Sequence, residues 1–116
     1  MALALRATHR DSGSITVVDL GGRIILGDGS ALLRKTVRDL LEGQRNKIVL
    51  NLGDVDYIDS SGIGELVSAY TAVKNRGGDL KLLNLTKKVR DLIQLTKLYT
   101  VFDVYTDESS AVGSFK

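Results

Sequence analysis

The sequence predicts an α/β domain built on a central, mixed, mostly parallel sheet with about four helices. Three observations carry that expectation. Apolar residues alternate between strand-like runs and 3.6-residue periodicity along most of the chain. One run, "KIVLNL" (Lys47 to Leu52), is almost continuously apolar, as in a parallel strand covered on both faces. The length of 116 residues suits one domain with a single core, so we expect residues 1–116 to form one unit.

The elements follow in order. "SITVVDL" (Ser14 to Leu20) is rich in β-branched residues and reads as a strand. "RDSG" ahead of it reads as a turn, which makes "ALALRAT" its hairpin partner and adds an antiparallel edge. "RIIL" (Arg23 to Leu26) continues the strand past Gly21-Gly22 with a bend or bulge. "GDGS" breaks the chain, and Asp28 or Ser30 is placed to cap the following helix. In "ALLRKTVRDLLEG", Leu33, Val37, Leu40 and Leu41 form one helical face and Gly43 terminates it. After the Lys47–Leu52 strand, helical spacing returns at Ile63, Leu66, Val67, Tyr70 and Val73, between Gly62 and Arg76. "NRGG" closes that helix and "DLKLLNL" forms another strand. Thr86 caps a third helix that turns Val89, Leu92 and Ile93 inward. "VFDVY" reads as a last strand and "TDESSAV" as a short final helix with an acidic first turn. Alternation of this kind implies right-handed crossovers.

Composition narrows the chemistry. The apolar fraction is 43%, the charged fraction 26%, and the formal charge +2, with no cysteine and no proline. Disulfides, thiolate nucleophiles and Cys-based zinc sites are therefore excluded. A +2 balance without a concentrated basic patch argues against direct nucleic-acid binding. No apolar run approaches the roughly 20 residues of a membrane span, and "MALALRATHR" reads as too short in apolar length for a secretory signal, so we expect a cytoplasmic protein with no membrane insertion.

The stretch "YIDSSGIGEL" (Tyr57 to Leu66) raises the central question, because two serines follow an aspartate where a strand gives way to a helix. A nucleophile elbow would need glycine two residues either side of Ser61, where Asp59 and Ile63 stand. The single histidine, His9, is remote in sequence, so a general base is missing. Asp54, Asp56 and Asp59 read as turn and cap residues rather than a cation cage. "GIG" lacks the third glycine of a dinucleotide fingerprint, since Val67 takes its place. We therefore expect no enzymatic activity, no metal and no cofactor. Arg34, Lys35 and Arg38, and Lys87, Lys88 and Arg90, read as solvated helix faces, with a docking surface for an acidic partner as the sharper alternative.

Helix capping needs one of Asp59, Ser60 and Ser61. If Asp59 or Ser60 caps, Ser61 stands at the helix start with its hydroxyl near solvent. A phosphate there would meet free N–H groups and the positive end of the macrodipole. It would add about −1.5 to −2 charges, opposed in part by Asp59, and would disfavour a dry contact with a partner. Gly62 and Gly64 are expected to keep the adjacent surface low.

The stretch "IVLNLGDVDYIDSSGIGELVSAYTAVKNRGGDLKLLNL", followed by "VRDLIQLTKLYTVFDVYTDESSAV", resembles the STAS domain, and closely the bacterial anti-sigma factor antagonists. The likeness spans roughly Ser14 to Val112. It implies a STAS-like fold and a binding protein rather than an enzyme. In that family the second serine of D-S-S-G, here Ser61, accepts a phosphate. The donor is an anti-sigma factor that is also a serine kinase using ATP and magnesium of its own. The unphosphorylated antagonist binds that kinase and frees a sigma factor, and a PP2C-type phosphatase restores it. Asp59, Ser60, Gly62, Ile63 and Gly64 would shape the switch loop, and Asp28 and Ser30 would add to the partner surface. Arg23 stands where acid is common in the family. The resemblance also allows a constitutive scaffold or a subunit of a signalling or lipid-transport assembly. A monomer or weak dimer is expected.

Overall fold

A computed structural model of the chain describes residues 5–115. The order is β1 (Leu5–Ser12), β2 (Ile15–Ile24), α1 (Asp28–Glu42), β3 (Lys47–Ile58), α2 (Ser60–Asn75), β4 (Asp79–Leu83), α3 (Lys87–Leu95), a 3₁₀ turn (Leu98–Thr100), β5 (Val104–Tyr105) and α4 (Glu108–Gly113). The sheet runs β1-β2-β3-β4-β5, with β1 antiparallel to β2 and every other pairing parallel. The predicted mixed, mostly parallel sheet with four helices is what forms.

The sheet is covered unequally. Ile48, Leu50 and Leu52 of β3 meet Leu33, Val37 and Leu40 of α1, Leu66 and Val73 of α2, and Val89 and Ile93 of α3. On the opposite face, Val17, Val49 and Leu83 pack under Ala111 of α4. β3 is thus buried on both sides, as its unbroken apolar run requires. Arg10 on β1 bonds both Asp19 of β2 and Glu108, and so ties α4 to the hairpin.

Several local expectations need correction. The hairpin turn is tighter than "RDSG": Arg10 to Ser12 belong to β1 and Gly13 makes the turn with φ 63°. Of "ALALRAT", residues 2–4 lie outside the described residues. β2 does continue past Gly21-Gly22, with register shifts against β3 there, but it ends at Ile24. Gly27, at φ 102°, precedes α1 with no side-chain cap, so neither Asp28 nor Ser30 caps it; Ser30 Oγ donates back to Gly27 O at 3.2 Å. Asp54 and Asp56 are strand residues rather than turn residues, because β3 runs on to Ile58 along β2 after its pairing with β4 stops at Asn51. "VFDVY" shrinks to Val104–Tyr105, since the N–H groups of Val101 and Phe102 bond Leu98 O at the end of the 3₁₀ turn instead of joining the sheet.

Candidate functional site

β2 and β3 are parallel neighbours, so the loops leaving their carboxyl ends lie side by side. Asp59 joins them. Its Oδ1 accepts from Gly62 N at 2.8 Å and caps α2, while its Oδ2 accepts from Leu26 N at 3.1 Å in the other loop. Asp59 N donates to Ile24 O at 3.3 Å. The Gly62 N–H first, then the Leu26 N–H, stabilise the carboxylate and hold its pKa below the usual carboxylate range.

Because Asp59 is the cap, neither serine is needed for it. Ser60 is exposed and Ser61 half-buried, the first and second residues of a sixteen-residue helix. Neither hydroxyl is engaged in a hydrogen bond among the described residues. The first turn of α2 carries no acidic side chain, so the Asp59 carboxylate at the cap is the negative charge that faces the positive end of the macrodipole.

The remaining expected residues divide. Gly64 is exposed and open, with nothing within 4 Å of a Cβ built on it. Gly62 is buried instead: a Cβ would stand 2.2 Å from Ile24 O and 2.6 Å from Ile58 Cγ1. It lets α2 approach β2 and does not lower the outer surface. Ile63 is 7% exposed and belongs to the core. Asp28 is exposed beside the loop, whereas Ser30 is 6% exposed and braces it from within.

Three features escaped the sequence reading. Leu26, 76% exposed, lies on the loop that Asp59 holds. A groove of about 420 Å³ runs from Ser60 past Tyr57 to Leu95, with Lys88 Nζ 5.0 Å from the centre of the Tyr57 ring. Glu65, 8% exposed, is gripped by both Arg34 Nε and Nη2, at 3.1 and 2.9 Å. A carboxylate at an inward helical position was the available signal for that pair. His9 sits on edge strand β1 opposite Val18, away from the serines, and no cluster of metal-binding side chains occurs among the described residues. No described helix is long and apolar enough to cross a membrane.

A β1-β2-β3-β4-β5 sheet with α1, α2 and α3 on one face and α4 on the other, and a serine pair opening α2, defines a small α/β domain of the STAS type. The chain matches the STAS domain over residues 6–111 and belongs to that family. The anti-sigma-B factor antagonist of Bacillus subtilis is 33% identical over 95 residues, covering 82% of this chain and 85% of that one. TM1081 of Thermotoga maritima superimposes with a TM-score of 0.87 at 25% identity, covering 94% and 93% of the two chains. SpoIIAA of Bacillus in its phosphorylated form shares the fold, with a TM-score of 0.73 at 19% identity over 93% of this chain and 97% of that one.

Proposed function

We propose that this chain is an anti-sigma factor antagonist whose binding is switched at Ser61. The carrying observation is the division of labour at the start of α2. Asp59 alone caps the helix, so the Ser61 hydroxyl is available and its modification removes no native hydrogen bond. A phosphate on Ser61 meets the positive end of α2 and leaves the fold intact. Its cost falls on a docked partner, which would have to desolvate a dianion. Leu26, on the loop bonded to Asp59, and Tyr57, which lines a groove with Ser60, are both exposed and give the unphosphorylated surface an apolar contact to lose. A relative of the same fold has been solved in a phosphorylated form, which supports the reading.

The partner in this reading is an anti-sigma factor with serine-kinase activity. It supplies ATP and magnesium, and a PP2C-type phosphatase reverses the mark. The test uses purified cognate kinase with ATP and magnesium. Ser61→Ala should bind the kinase like wild type and take up no phosphate, and Ser61→Asp should bind more weakly. Equal binding by wild type, Ser61→Ala and Ser61→Asp would refute the switch.

A further inference from the structure

The flank of α1 and α2 carries a second feature, distinct from the helix start. A cavity of about 500 Å³ lies between the two helices. Val37 and Leu41 of α1 and Ala69 and Ala72 of α2 line it with apolar surface. Three arginines rim it, against one carboxylate. That carboxylate, Glu65, is already spent on Arg34, which it holds by two bonds. Arg76 is fixed as well, its Nη1 donating to Leu41 O at 3.3 Å. Arg38, one helical turn beyond Arg34, is exposed and makes no ion pair among the described residues. The groove therefore carries two positive charges beyond those it neutralises itself.

We propose that this groove docks an acidic amphipathic helix of a partner protein. Charge selects the occupant. Guanidinium groups match carboxylates with two parallel hydrogen bonds; Glu65 occupies Arg34 in this way, which leaves Arg38 and Arg76 for the partner, and Arg76 is held in place before any partner arrives. The apolar lining takes one or two aliphatic side chains spaced at i and i+3 or i+4, the pattern by which a helix seats in a groove. A second copy of this chain fits less well, because its acidic helix start at Asp107–Glu108 is already engaged by Arg10 and by its own cap. The site is independent of the Ser61 switch, since it needs neither phosphate nor kinase.

The test uses the intact chain and a fluorescein-labelled alanine-based helical peptide, with leucines along one face and glutamates flanking them. A matched peptide carries lysine in place of glutamate. The expected result is saturable anisotropy with the acidic peptide only, and amide chemical-shift changes confined to Arg34–Leu41 and Glu65–Arg76. Arg38→Glu, which reverses an unpaired surface charge, should weaken binding about tenfold or more. Ala72→Trp, which fills the groove from an exposed position, should do the same, with circular dichroism confirming that both variants are folded. Equal binding of the two peptides, no saturable binding of the acidic one, or shifts elsewhere would overturn the proposal. Shifts at these residues on concentrating the protein alone would assign the groove to a second copy and also overturn it.

Discussion

Replacing Gly62 with alanine tests how closely α2 must approach β2. The added Cβ would lie 2.2 Å from Ile24 O, 2.6 Å from Ile58 Cγ1 and 2.9 Å from Ile24 Cγ2. Ordinary contact begins near 3.4 Å, so α2 and the end of β2 must part by about 1 Å. The blocking atom is a backbone carbonyl that also accepts from Asp59 N, so no side-chain rotation relieves the clash. Overpacking of this kind costs about 1–3 kcal/mol. Alanine's better helix propensity returns at most about 1 kcal/mol. We expect a net loss of about 1 kcal/mol, or roughly 4 °C in Tm for a domain of this size. Gly64→Ala is the control, because a Cβ there meets nothing within 4 Å. It should gain about 0.5–1 kcal/mol. Urea unfolding followed by circular dichroism, at unchanged m-value, measures both. If Gly62→Ala proves as stable as Gly64→Ala, the close approach of α2 to Ile24 is wrong.

Asp59→Asn probes the carboxylate that joins the two loops. Its folded pKa lies below the unfolded value near 4, so its stabilisation is complete at neutral pH and is lost as pH falls from about 4 through the folded value. The wild type should exceed Asp59→Asn in urea midpoint at neutral pH, and the gap should close in strong acid; a gap independent of pH would count against the charge. Thr86→Val removes the cap of α3 and the bond from Thr86 Oγ1 to Val55 O at 2.8 Å, on the stretch of β3 that β4 no longer covers. It should lower stability by about 1–2 kcal/mol in the same assay. Lys81 is 5% exposed, but its partner Asp103 reaches solvent, with a side chain 66% exposed. Burial alone would lower the Lys81 pKa, and Asp103 and Asp79 more than offset it. Lys81→Met keeps the buried stem and strands no buried charge, so thermal unfolding should place it within about 1 kcal/mol of wild type. Lys81→Ala should cost about 2 kcal/mol.

Much of the candidate site was legible because its chemistry is local. The cap by Thr86 on Val89 N follows from a side chain reaching three residues ahead. Asp59 obeys the same rule with Gly62 N, which is why a spare hydroxyl at Ser61 could be expected before the fold was seen. The family pattern around "DVDYIDSSG" then gave that hydroxyl a meaning that capping alone does not supply. Local reasoning failed at Asp28 and Ser30, where the sequence offers two good caps and the helix uses neither. The nearby loop is organised from outside, by Asp59 reaching Leu26 N across 33 residues.

The helices and most strands were determined by sequence alone, because apolar period and capping act within a turn or a pleat. The extent of β3 was not. Asp54 and Asp56 look like turn residues until Gly21 to Ile24 of β2 lie alongside, pairing Asp54, Val55, Tyr57 and Ile58 and passing over Asp56 at a register shift. Tertiary structure also decided that Gly62 is a packing residue, that Ile63 turns into the core, and that Arg34 meets Glu65 across 31 residues. Each of these depends on how one βα unit sits against the next. Such contacts form only after the sheet has paid the entropy of bringing distant segments together, and no short-range pattern records them.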